Sequence, residues 1–213
     1  HTYTCMNTKD LLNLAYSFAA KNQFSLALSI CDQAVKQEPR NDEPYFVRGY
    51  IKYLSKHEFS ALSDLTMSIN IHPHEDTYRV RGICKENLGL IKWAIDDYDK
   101  GLQLNPNNIE LLRCKATIYE REGEWEKALE SFLKIVKVKK DSSEIYFSIS
   151  QLYLRLSKYE LAISAIKEAY ELEPLEHYKN FISEIINKAG HHPINIFRNF
   201  FDGEIVEDIQ THF

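Results

Sequence analysis

Three registers of residues advance together along this chain. A small residue recurs at Ala15, Gly49, Gly82, Ala116 and Ser150, and an alanine follows at Ala27, Ala61, Ala94, Ala128 and Ala162. Both series move by 34, 33, 34 and 34 residues. A third series, Pro39, Pro73, Pro106, Lys140 and Pro174, keeps the same steps and loses its proline once. A period of this size overrides local readings, because each unit is one supersecondary element that buries its apolar face only by stacking on its neighbours.

Within a unit the apolar spacing is helical. Leu11, Leu14, Ala15 and Phe18 make one stripe, Lys21-Asn22-Gln23 interrupts it, and Phe24, Ala27, Cys31 and Ala34 make a second that stops at Pro39. Ala or Gly at a helix crossing lets two backbones approach to roughly 8 Å. Proline ends the second helix because it lacks an N–H and restricts the residue before it. The expected fold is all-α, a right-handed α-solenoid of about five helix-turn-helix units. After Pro174, the face Tyr178, Ile182, Ile185 and Ile186 reads as a capping helix ending at Gly190. Residues 8–190 then form the solenoid with its cap. Residues 191–213 form an apolar and acidic tail of short helical character, in which Ile194, Phe197, Phe201, Ile205 and Ile209 are candidate docking residues.

This pattern resembles the tetratricopeptide repeat family over about residues 8 to 174. The third unit matches through Tyr78, Gly82, Gly89, Ala94, Tyr98 and Pro106, and the fourth through Leu112, Ala116, Tyr119, Gly123, Ala128 and Phe132. Tyr146, Tyr153, Tyr159, Ala162, Ala169 and Pro174 carry the fifth. Arg48 and Arg81 stand where the family has Leu, and Lys52 and Lys85 where it has Tyr. Packing through their aliphatic stems, with the charged ends in water, is expected there. Phe59 precedes its alanine by two residues, whereas Phe24, Ile91, Trp125 and Tyr159 precede theirs by three. That offset implies a local change in the second turn. The residue missing from the 33-residue step falls between Pro73 and Gly82.

The composition narrows the function. With a net charge of −5 and basic residues spread along 213 positions, the chain offers no field for nucleic acid. No run approaches the roughly 18 to 20 apolar residues of a membrane span, and His1 to Met6 lack the pattern of a signal peptide. Cys5, Cys31, Cys84 and Cys114 have no framework spacing, which points to reduced thiols in an intracellular, cytoplasmic protein.

Chemical motifs are few. The run Asp96, Asp97, Asp99 and Gly101 imitates a calcium loop, but Tyr98, Lys100 and Asn107 stand at ligand positions. Its aspartates are read as the solvated side of a helix. His72-Pro-His74 and His191-His192 lack a third ligand at motif spacing, and no nucleophile elbow, P-loop or dinucleotide fingerprint occurs. No enzyme activity, cofactor or metal is expected.

Binding is the expected function, on the concave side that first helices line in such solenoids. The stripe one residue after each inward-packing position gives Leu12 and Tyr16; Phe46, Tyr50 and Tyr53; Arg79 and Ile83; Arg113 and Thr117; Phe147 and Gln151. Such a groove is aromatic at one end and charged in its middle, and suits an adaptor holding a peptide or helix of a partner protein. Phe46 and Arg113 are the preferred anchors. The alternative is a structural subunit, or a homo-oligomer, that docks or self-associates through its tail. Some members of the family grip the C-terminal carboxylate of the chaperones Hsp90 and Hsp70 with a Lys and Asn pair and further basic residues. The matching places here hold Leu12, Tyr16, Asp76 and Val80, which disfavours that partner.

Overall fold

The computed structural model describes residues 6–189, and the tail candidates Ile194, Phe197, Phe201, Ile205 and Ile209 lie outside them. The described residues form eleven α-helices and no strand: α1 (Thr8–Ala20), α2 (Phe24–Gln37), α3 (Asp42–Leu54), α4 (Glu58–Ile71), α5 (Glu75–Asn87), α6 (Ile91–Leu104), α7 (Ile109–Arg121), α8 (Trp125–Val138), α9 (Ser143–Arg155), α10 (Tyr159–Leu172) and α11 (Glu176–Ala189). The all-α class and the helix pairs read from the sequence are present. Contacts group the chain into two compact units, one running through Leu111 and one starting at Leu112.

The stride reaches down to single hydrogen bonds. Asn22, Lys56, Gly89, Gly123 and Ser157 all take positive φ, between 56° and 75°, one per helix pair. In each turn the next residue's N–H closes on a carbonyl five positions back, from Gln23 to Phe18 at 2.9 Å through Lys158 to Tyr153 at 2.8 Å. This is the Schellman arrangement, which satisfies carbonyls left open at a helix end. Starts are repeated as well: Asn7 and Asn41 cap the backbone N–H groups of Asp10 and Glu43, and Asn108 that of Leu111. Ends do not depend on proline, since α8 stops at Val138 although Lys140 replaces the expected Pro.

In the first unit, Leu11, Leu12, Ala15, Ala27, Cys31, Val47 and Ile51 form one buried cluster, and Ala61, Leu65, Val80 and Cys84 another. Glycine is required at one crossing: a Cβ on Gly82 would lie 2.3 Å from the ring of Tyr98. The second unit's core joins Ala162, Ile163 and Ile166 to Tyr178, Ile182 and Ile185 of α11, the covering helix expected after Pro174.

Three local expectations change. The missing residue does fall in the connection 72–74, which is one shorter than connections 38–41 and 105–108. The second turn, however, is unaltered. Helix α4 starts three residues before Ala61, as in the other units, and Glu58 occupies that position with a hydrogen bond from Asn87 at 3.2 Å. Phe59 is consequently turned out and is 82% exposed.

The charged substitutions also differ from expectation. Arg48 does not end in water: its fork grips Asp64 at 2.9 and 2.6 Å, Lys52 reaches the same carboxylate at 2.7 Å, and Arg48 adds Asp32 of the preceding pair at 2.7 Å. One stride later Arg81 grips Asp97 at 2.9 and 2.7 Å, with Lys85 at 2.7 Å. Asp97 is fully buried, so it does not belong to the solvated side assigned to the three aspartates. Asp96 does, in an exposed pair with Lys100 at 2.8 Å. At the corresponding positions the first pair of helices holds Leu14, Phe18 and Ile30. The charged trio and the apolar trio are alternative fillings of one crossing.

Candidate functional site

The first-helix face of the first unit carries a continuous aromatic strip. Phe46 and Tyr50, one turn apart on α3, stack with centroids 6.1 Å apart and planes 14° from parallel. Tyr16 of α1 tilts against Tyr50 at 6.4 Å, and Tyr50 meets Tyr53 at 6.1 Å. Tyr16 is 38% exposed while Phe46, Tyr50 and Tyr53 are half-buried, so the rings are held from below and open above. Among the described residues no group hydrogen-bonds the hydroxyls of Tyr16, Tyr50 or Tyr53. Burial, followed by the charge of Glu43, pushes the Tyr16 phenol up to about 12, and burial raises Tyr53.

Other expected groove residues are placed differently. Leu12 is 2% exposed in the core beneath Phe46, so it presents no surface. Ile83 is half-buried. Arg79 is committed to Asp76, with Nε at 3.2 Å and Nη2 at 3.1 Å from one carboxylate oxygen.

In the second unit Arg113 and Thr117 are exposed on α7. Thr117 and Gln151 line a cleft of about 660 Å³ together with Glu120, Trp125, Arg155 and Phe181. The Arg155 guanidinium sits 4.8 Å above the Trp125 ring. Burial raises the Glu120 carboxyl, and Arg155 partly offsets this. Phe147 is not a free anchor: its ring packs 5.1 Å from both Tyr178 and Phe181 of α11 and 5.4 Å from His177. The stripe rule missed Trp125 and Arg155. Their signal was a large aromatic at the start of α8 and a basic residue at the end of α9, the first on a second helix and the other off the stripe, so a rule that follows one stripe of the first helices passes over both.

Two of the cysteines are poor nucleophiles. Burial pushes Cys31 and Cys84 up to about 12, while Cys114 is half-buried. Among the described residues no group of three His, Cys, Asp or Glu side chains is arranged to hold a metal. No described helix is long and apolar enough to cross a membrane.

Helix pairs of fixed length joined by a recurring left-handed turn define a helix-turn-helix repeat protein. Tetratricopeptide repeat family models match residues 97–130, 115–146 and 143–174. The chain is a tetratricopeptide repeat protein. It is 22% identical over 170 residues to anaphase-promoting complex subunit 3 of Schizosaccharomyces pombe, covering 79% of this chain and 26% of that protein. It is 34% identical over 211 residues to DnaJ homolog subfamily C member 3 of Gallus gallus, covering 76% of this chain and 42% of the relative. The chain thus spans less than half the length of both. YrrB, described as a tetratricopeptide repeat protein with an unusual peptide-binding site, shares the fold with a TM-score of 0.64 at 16% identity, covering 82% of this chain and 90% of that one.

Proposed function

We propose that this chain is a non-enzymatic protein-interaction module that holds a peptide or helix of a partner on the face its first helices present. The aromatic strip Tyr16, Phe46, Tyr50 and Tyr53 carries this reading. Rings supported from below, with uncommitted hydroxyls, supply rigid contact area and directional hydrogen bonds at low entropic cost, which is the chemistry of binding hot spots. In the second unit the cleft lined by Thr117, Gln151, Trp125 and Arg155 and the exposed Arg113 offer polar contacts of their own. A chaperone carboxylate is not the partner proposed, because Leu12 is buried and Asp76 and Val80 stand where that clamp has basic residues.

The test is titration of a partner segment against Phe46→Ala and the double variant Tyr16→Ala/Tyr50→Ala. Loss of about 2 kcal/mol or more is expected for the double variant. Unchanged affinity in both variants would sink the reading.

A second reading, a subunit built into a larger assembly, is favoured by a separate observation. Phe59 and Trp93, on second helices, are 82% and 63% exposed. Aromatic residues are enriched at protein interfaces relative to the rest of the surface. Association that survives loss of the strip, but is abolished by Phe59→Ser/Trp93→Ser or by truncation after Gly190, would support this reading instead.

A further inference from the structure

Charge on the strip narrows what it accepts. All five basic residues of α3 and α5 are already in ion pairs: Arg48 and Lys52 with Asp64, Arg81 and Lys85 with Asp97, and Arg79 with Asp76. The acidic residues of these helices exceed what those pairs consume. Glu43, in the first turn of α3, is exposed, and among the described residues no cation pairs with it. Glu43 stands three and seven residues before Phe46 and Tyr50, on the same face of α3, and its carboxylate acts on Tyr16. The aromatic faces add to the same sign, since a ring's quadrupole is negative above its plane.

Resting on the interaction reading above, we propose that the Tyr16–Tyr50 end of the strip takes a lysine or arginine side chain of a partner segment, with an apolar residue beside it. The cation lies over the tilted pair of rings and Glu43 supplies the countercharge, while the neighbouring apolar group covers Phe46. An acidic segment would meet Glu43 and the negative ring faces together, with no free guanidinium on α3 or α5 to receive it. The α3 N-terminus already uses part of the Glu43 charge, so the rings must carry a substantial share of the attraction.

The experiment pans a displayed library of random nonapeptides against the full chain, its Glu43→Lys and Tyr16→Ala/Tyr50→Ala variants, and the chain truncated after Gly190. Enriched sequences are then synthesised with the basic residue or with norleucine and titrated at two salt concentrations. The expected result is enrichment of Lys or Arg next to an aliphatic or aromatic residue. Norleucine should weaken binding by about two- to thirtyfold, and Glu43→Lys should weaken binding and reverse its salt dependence. Glu43 is exposed, and unchanged circular dichroism of that variant separates lost binding from lost folding. Strip-dependent enrichment of neutral or acidic peptides would overturn the cation assignment and leave the interaction reading standing. Strip-independent binding, or no enrichment by any form of the chain, would overturn both. Enrichment seen only after truncation would assign the strip to the chain's own tail and overturn a cationic partner.

Discussion

Replacing Asp97 by alanine should be among the most damaging single changes in the first unit. Asp97 has no exposed surface and holds two cations whose side chains are only 13% and 16% exposed. Its loss leaves Lys85 only the Trp93 carbonyl at 3.5 Å, and Arg81 the Thr66 hydroxyl at 3.1 Å and the Tyr78 ring at 5.6 Å, all weaker contacts than the carboxylate. Breaking a buried pair from one side costs about 3–5 kcal/mol, because the remaining charge stays desolvated. For a chain of this length that is about 6–20 °C in Tm. The first pair of helices supplies the control, since it fills the same crossing with Leu14, Phe18 and Ile30. Transplanting that trio as Arg81→Leu/Lys85→Phe/Asp97→Ile should recover most of the loss, as apolar replacement of a complete buried ionic set is often neutral or stabilising. Thermal and urea melts followed by circular dichroism would report both. A single variant within 0.5 kcal/mol of the parent, roughly the ordinary spread for a surface change, would refute the claim that the cluster is desolvated. A triple variant worse than the single one would refute the equivalence of the two fillings.

Other outcomes follow from the same geometry. Gly82→Ala should destabilise by about 1–3 kcal/mol despite its better helix propensity, because the added carbon meets a Tyr98 ring fixed by its hydrogen bond to Glu86 at 3.0 Å; a urea midpoint at or above that of the parent would contradict this. Lys56→Gly should stabilise by about 0.5–1 kcal/mol, since Lys56 sits at φ 63° in a turn where two other units have glycine; a lower midpoint would count against it. Alkylation with iodoacetamide at pH 8 should reach Cys114 well before Cys31 and Cys84, whose thiols burial pushes up to about 12; peptide mapping showing equal rates would contradict that burial.

The fold was legible because its stride is written in small residues. Gly82 and Ala94 announce the crossings, and their spacing survives every change of surface chemistry. The ionic clusters were not read, because lysine and arginine at packing positions look like surface residues and their partners lie 12 to 16 positions away on the facing helix. A signal existed in the comparison of helix pairs: Arg48, Lys52 and Asp64 recur together as Arg81, Lys85 and Asp97, while the first pair changes all three at once. Phe59 carried a legible oddity with the opposite cause to the one inferred. Its turn keeps the common register, and its side chain gives way to Glu58. The strip was readable from helical spacing at Tyr16, Phe46, Tyr50 and Tyr53. Spacing could not show that Leu12 sinks beneath Phe46 or that α11 covers Phe147. Those outcomes depend on which neighbour a helix meets, and helical spacing within one segment does not encode that.

The central claim is that the first-helix aromatic strip binds the partner. Amide and methyl chemical-shift mapping on the full chain, titrated with a peptide selected from the nonapeptide library, tests it most directly. The largest changes should fall at Tyr16, Phe46, Tyr50, Tyr53 and Glu43 and should vanish in Tyr16→Ala/Tyr50→Ala. Changes confined to Phe59, Trp93 and their neighbours on the second helices would contradict it.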